Sequence, residues 1–276
     1  RAMLKISLRP SQYNRPDLRN HRKIVVIDTK EAYIGSLNMI DKHYHRKDDI
    51  AYTELMIHLH GPSAAQAAEI FDSDWYAETG QRPDHDLTAV SVDKVGSRVV
   101  QLLPSGPSYE YRNNLMVFIE LIHKAEQTVL INNPYLVPDE GLFNALISAA
   151  KRGVRVSILN SEAMDQWVVG YAQRSYYQGL LEAGVEISLY NKPTLIHDKS
   201  IAIDDEVAVV GTSNLDIRSF ELDMECVVLA FDTTTAKELS QHHEKLLKNS
   251  QPITLEAWKK RPFKSSILES ITRLTS

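Results

Sequence analysis

The strongest constraint on this chain is a short polar pattern that occurs twice. His21, Lys23, Asp28, Gly35 and Asn38 recur as His197, Lys199, Asp204, Gly211 and Asn214, with every internal spacing kept and an offset of 176 residues between equivalent positions. Self-similarity over so long a separation means two copies of one structural unit. The residues between the motif positions agree as well. Residues 24–27 (IVVI) and 201–203 (IAI) read as strands, Asp28-Thr29-Lys30 and Asp204-Asp205-Glu206 as turns, and residues 32–34 and 207–210 as return strands. Each copy is therefore expected to be a hairpin. Side chains alternate along a strand, so His21 and Lys23 share one face, as do His197 and Lys199. Asp28 and Asp204 stand at odd offsets and are expected to anchor the turn or neighbouring backbone. Gly35 and Gly211 end the return strands, where a turn brings Asn38 and Asn214 back toward the histidine and lysine. Glu54 and Glu225 each lead a following apolar run.

Between the copies helical and strand patterns alternate. Residues 109–124 read as a helix, 128–131 as a strand, 140–151 as a helix capped by Asp139, 154–159 as a strand, 165–183 as a helix stopped by Gly184, and 185–189 as a strand. Such alternation predicts an α/β fold with a mixed sheet flanked by helices. Together with the repeat it predicts two pseudo-symmetric lobes, residues 1–88 and 89–276, joined by a linker within residues 79–93. Only twenty residues precede His21, whereas the second lobe already runs from about Val99 before it reaches His197. The first lobe is thus expected to be incomplete, and the chain to be part of a longer enzyme or completed by other polypeptide.

Composition narrows the chemistry. The net charge of −5 argues against a basic field for nucleic acid. Cys226 is the single cysteine, which excludes an internal disulfide and a cysteine zinc site. No run of eighteen apolar residues is present, so no spanning helix is expected. The doubled histidines, lysines and asparagines suit one task, which is to hold a phosphodiester between two halves. Donors aimed at the charge that builds on phosphorus contribute about 3–4 kcal/mol each. One neutral histidine can attack while a protonated one gives the leaving alkoxide its proton. Glu54 and Glu225 can orient the rings. The lysines supply positive charge, so no metal is required.

Read as H-x-K-x₄-D followed by G-[ST]-x-N, twice, these residues resemble the phospholipase D superfamily signature. Residues 101–107 (QLLPSGP), 133–138 (NPYLVP), 149–154 (AAKRGV), Asp74-Trp75 with Glu78-Thr79-Gly80, and 214–219 (NLDIRS) are similar to bacterial cardiolipin synthase. The resemblance implies two phospholipase D-like lobes. It implies that two phosphatidylglycerol molecules give cardiolipin and glycerol through a phosphohistidine, without a cofactor. It places the reaction at His21, Lys23, Asn38, His197, Lys199 and Asn214, with Asp28 and Asp204 as the motif aspartates. His21 would be the nucleophile and His197 the acid/base. Ser36, Thr212 and Arg218 would contact substrate. Implied partners are phosphatidylglycerol and an anionic bacterial membrane, reached through an N-terminal segment that this chain lacks, with a homo-oligomer left open. The same chemistry also fits a lipid hydrolase or a nuclease, and a non-catalytic lipid-binding relative is the remaining alternative.

Other features are expected to be structural. His43 with His45 and His58 with His60 lack further metal ligands. Cys226 reads as a small buried residue in a strand. Phe263, Ile267, Ile271 and Leu274 fall on one helical face behind Trp258, Lys259, Lys260, Arg261 and Lys264. That face either packs on the second lobe or lies on an anionic bilayer, with packing expected.

Overall fold

A computed structural model describes residues 17–41, 50–83, 95–262, 269 and 272. The larger half is built on a nine-stranded mixed sheet. Its spatial order runs Arg19–Asn20, Asp223–Phe231, Val207–Gly211, Ser200–Ile203, Thr128–Asn132, Arg155–Ser161, Glu186–Tyr190 and Ser250–Ile253, with Val99–Ser105 also paired along Asp223–Phe231. Thr128–Asn132, Arg155–Ser161 and Glu186–Tyr190 are mutually parallel. Parallel neighbours need crossover connections, and the helices Glu140–Lys151 and Trp167–Ala183 supply them. Asp139 caps the first by accepting from Gly141 N–H, and Gly184, at φ 100°, ends the second. Leu142, Leu146, Ala149, Tyr177 and Leu180 from these helices bury against Ile131, Val156 and Ile158 of the sheet. Each large buried side chain contributes about 1.5–3 kcal/mol.

The smaller half is a three-stranded antiparallel sheet, Ile24–Ile27, Glu31–Gly35 and Met56–His60, backed by the helix Pro62–Thr79. Ala32, Ile34, Leu59, Ala64 and Ala67 of this half pack on Leu102, Cys226 and Val228 of the larger one. Both hairpins close on turns with two positive-φ residues, Asp28 and Thr29 in one, Asp204 and Asp205 in the other. Aspartate tolerates the left-handed region better than most side chains, so the same turn recurs in both copies.

Two short strands cross between the halves. Arg19–Asn20 runs parallel to Asp223 and Met224, and Ala51–Thr53 runs parallel to Thr194–Ile196. Each half keeps its own main sheet, and these two short strands join them. Val99–Ser105, unmarked by alternation because Pro104 interrupts it, is a strand, and Glu225 lies inside Asp223–Phe231 rather than ahead of it. The helix expected from residue 109 begins at Asn113, because residues 106–109 form a turn closed by Tyr109 N–H on Gly106 C=O. Cys226 is fully buried in its strand, and burial pushes its thiol up to about 12. His58 stacks on Tyr33 and pairs with Glu31 at 3.2 Å on the surface. Among the described residues no helix is long and apolar enough to cross a membrane. His43, His45, residues 84–93 with the expected boundary at 88, and Phe263, Lys264, Ile267, Ile271 and Leu274 lie outside the described residues.

Candidate active site

The two copies meet by exchanging partners. His21 Nδ1 lies 2.8 Å from Glu225 Oε1, and His197 Nδ1 lies 2.8 Å from Glu54 Oε2. Each histidine is thus held by the glutamate of the other half, and each Nε2 is left for chemistry. The crossing strands explain this exchange. Ala51–Thr53 delivers Glu54 beside His197, whose backbone N–H donates to Thr53 C=O at 2.8 Å. Arg19–Asn20 delivers His21 beside Glu225, with His21 N–H donating to Met224 C=O at 2.9 Å.

The glutamates are fixed from below by matching hydroxyls. Thr212 Oγ1 and Ser219 Oγ donate to Glu225, the latter at 2.8 Å, and Ser36 hydrogen-bonds to Glu54. Ser36 also accepts from Leu55 N–H at 2.8 Å and Thr212 from Cys226 N–H at 2.9 Å. Both hydroxyl residues are fully buried. Their place is beneath the glutamates, not at a phosphate as the motif suggested. The glycines before them let the strands approach this closely, since a Cβ at Gly35 or Gly211 would strike the backbone oxygen of Leu55 or Cys226.

Lys23 Nζ donates to His21 C=O at 2.7 Å and Lys199 Nζ to His197 C=O at 2.6 Å. Burial lowers Lys23 to about 8, against the pull of Glu225, Glu54 and Asp223. Burial and the charge of Lys23 lower Lys199 to about 7, with Glu54 and Glu225 opposing. Each lysine thus senses the carboxylates of both halves, which marks a single shared site. Burial, then Lys199, pushes His197 below its ordinary value although Glu54 opposes this. Burial alone would raise Glu54, but its bonds to His197 and Ser36 outweigh this and keep it ionised. Asn214 is buried and its Oδ1 has no hydrogen-bond partner among the described residues, while Asn38 is half-buried.

The motif aspartates are not brought into this cluster. Asp204 accepts from the N–H groups of Glu126, Gln127 and Thr128 at 2.6–2.8 Å and so ties the hairpin to the neighbouring strand. Asp28 is exposed at its own turn. Arg218 pairs with Asp223 at 3.2 Å and donates to Asp17 C=O at 2.7 Å.

The motif reading passed over Arg22. Its buried guanidinium donates to Glu225 C=O at 2.9 Å, to Asp74 at 2.5 Å and to Ser105 C=O at 3.2 Å. It therefore clamps the strand that carries the glutamate under His21. In the second copy Asp198 takes the corresponding position and pairs with His242 at 2.6 Å, so the charges are reversed. No spacing rule reveals these contacts, because their partners come from distant helices and strands. Among the described residues, His21, Asp223 and Glu225 are the three side chains with metal-ligand proximity. Arg218 and the bonds to Glu225 already engage these carboxylates, so a cation would have to displace them.

With this geometry in view, the comparisons are specific. Residues 118–247 match the family model described as cardiolipin synthase, PLD-like domain. Cardiolipin synthase A of Pectobacterium carotovorum is 33% identical over 273 residues, covering 97% of this chain and 56% of that protein. Cardiolipin synthase A of Proteus mirabilis is 34% identical over 262 residues, covering 93% and 54%. The chain spans about half the length of these curated relatives. Phosphatidylserine synthase from Haemophilus influenzae superposes with a TM-score of 0.66 at 15% identity, covering 95% of this chain and 70% of that one, and so shares the fold. Residues 118–247 are thus similar to a PLD-like domain, and the chain shares over 95% of its length the fold of a phosphatidylserine synthase. In sequence, the similarity is to the bacterial cardiolipin synthases.

Proposed function

We propose that this chain carries the phosphatidyl-transfer centre of a cardiolipin synthase, moving a phosphatidyl group from one phosphatidylglycerol to another at a bacterial membrane surface. The observation that carries this reading is the crossed pair of histidine–glutamate couples, accompanied by one half-buried lysine, Lys23, and one buried lysine, Lys199. His21 Nε2 attacks phosphorus and the P–O bond to glycerol breaks. His197 gives its Nε2 proton to the departing oxygen. The hydroxyl of a second phosphatidylglycerol then attacks the phosphohistidine, its proton passes to His197, and cardiolipin leaves. Lys23 and Lys199, with Asn38 and Asn214, stabilise charge on the non-bridging oxygens. Glu54 and Glu225 hold each imidazole in its working tautomer and support its cationic form. The bound phosphodiester anion offsets the lysine charges that depress His197, so substrate binding favours the protonated acid. Labelled phosphatidylglycerol in mixed micelles with the full-length protein tests this. Cardiolipin plus glycerol, lost in His197→Ala, supports it. Phosphatidic acid alone makes the enzyme a hydrolase, and full activity in His197→Ala overturns the mechanism.

A further inference from the structure

The doubled core is symmetric down to its hydroxyls, but one neighbouring position is not. Two residues ahead of Glu54 stands Tyr52, and two residues ahead of Glu225 stands Asp223. The Tyr52 ring lies edge-on to His197, with centroids 5.5 Å apart and planes at 86°. Its hydroxyl reaches Asp165 Oδ2 at 3.3 Å. Tyr135 hydroxyl lies 2.7 Å from both Asp165 oxygens, and Gln166 Nε2 donates to that hydroxyl at 3.1 Å. Asp165 and Gln166 are exposed. Asp223, by contrast, is 5% exposed and ion-paired to Arg218. Beside one histidine, then, is a solvent-connected set of hydroxyl and carboxylate groups. Beside the other is a buried carboxylate paired with the exposed guanidinium of Arg218.

An in-line displacement places the leaving alcohol beside the acid/base histidine, opposite the nucleophile. By microscopic reversibility the incoming alcohol enters at the same place. Under the phosphatidyl-transfer reading, on which this inference rests, both alcohols are glycerol headgroups. Each has free hydroxyls that need partners once water is displaced, and the first must leave before the second enters. Among the described residues, the His197 side offers accessible hydroxyl and carboxylate groups, whereas beside His21 the carboxylate is buried and already paired with Arg218.

We propose that Tyr52 and Asp165, backed by Tyr135 and Gln166, form a polyol subsite that binds the glycerol headgroup in both half-reactions and thereby makes His197 the acid/base. The first alcohol leaves as P–O breaks and His21 Nε2–P forms, taking the proton of His197. The second occupies the same hydroxyl partners as its O–P bond forms and N–P breaks, returning a proton to His197.

A competition measured on the full-length protein tests this. The donor is phosphatidyl-p-nitrophenol, whose leaving group needs no polyol contact, and glycerol and ethanol compete for the one intermediate. The ratio of phosphatidylglycerol to phosphatidylethanol reports the subsite whatever the rate of the first step. Asp165→Asn is expected to lower that ratio about tenfold and Tyr52→Phe about threefold, the loss of one or part of one hydrogen bond. An alkaline quench is expected to leave the phosphoryl adduct on His21. An unchanged ratio in both variants, a fall in Asp223→Asn instead, or an adduct on His197 overturns the proposal. A wild-type protein that transfers to neither alcohol overturns the transfer reading itself, and the subsite with it.

Discussion

Ile203 and Ile27 occupy the same place in the two hairpins, yet Ile203 is 4% exposed and Ile27 is 47% exposed. Ser200–Ile203 is paired on both edges, by Val207–Gly211 and Thr128–Asn132. Ile24–Ile27 has one partner among the described residues, Glu31–Gly35. Asp204 binds three backbone amides while its counterpart Asp28 faces solvent. The reactive residues nevertheless stand in matching geometry in both halves. The placement of the motif histidines therefore follows the other half's glutamate and the buried hydroxyls, not how much sheet surrounds each hairpin.

The largest test of that equivalence is catalytic. Glu54→Gln and Glu225→Gln are each expected to lower turnover about 10³–10⁴-fold, as when an imidazole loses the carboxylate that sets its tautomer. A severe loss from only one of them would show that the halves are not equivalent. Stability should separate them. Asp204→Ala is expected to cost about 2–4 kcal/mol in urea unfolding, because three amides lose a charged acceptor, and Asp28→Ala less than about 0.5 kcal/mol. Equal costs would mean that Asp28 has a partner of the same kind. Lys199→Met should abolish transfer yet raise stability by about 1–3 kcal/mol, since the buried ammonium is held for function. Its lowered value near 7 means that the folded state releases this proton more readily than the unfolded chain. The wild type should then gain stability as pH rises from about 7 toward the unfolded lysine value of roughly 10.5, and the variant should not. The smallest effect is on rate. With Lys199 at about 7 and Lys23 at about 8, and both needed in charged form, kcat/KM should fall about tenfold as pH rises from 7 to 8. The fall in kcat should come at higher pH, because the bound phosphodiester anion favours the charged lysines.

Much of this arrangement was legible in the sequence. The doubled spacing marked both hairpins, and strand alternation turned Asp204 away from the histidine. The apolar periods located the crossover helices within a few residues. What pattern could not supply was pairing across the repeat. Nothing in the spacing of Glu54 says that it serves His197 rather than His21, because that choice is made by a three-residue strand borrowed by the other half. Ser36 and Thr212 misled for a related reason. A hydroxyl near a motif asparagine reads as a substrate contact, whereas here each hydroxyl supports a glutamate. Arg22 carried no signal, since the same position holds Asp198 in the other copy.

The two borrowed strands also mean that neither half owns a working imidazole. A fragment containing one hairpin would fold, if at all, with its histidine lacking a carboxylate behind it and its glutamate turned toward nothing. Under the proposed transfer reading, activity is therefore a readout of the seam. Any lesion that loosens the join between the halves should silence both histidines together, even where every reactive side chain is intact.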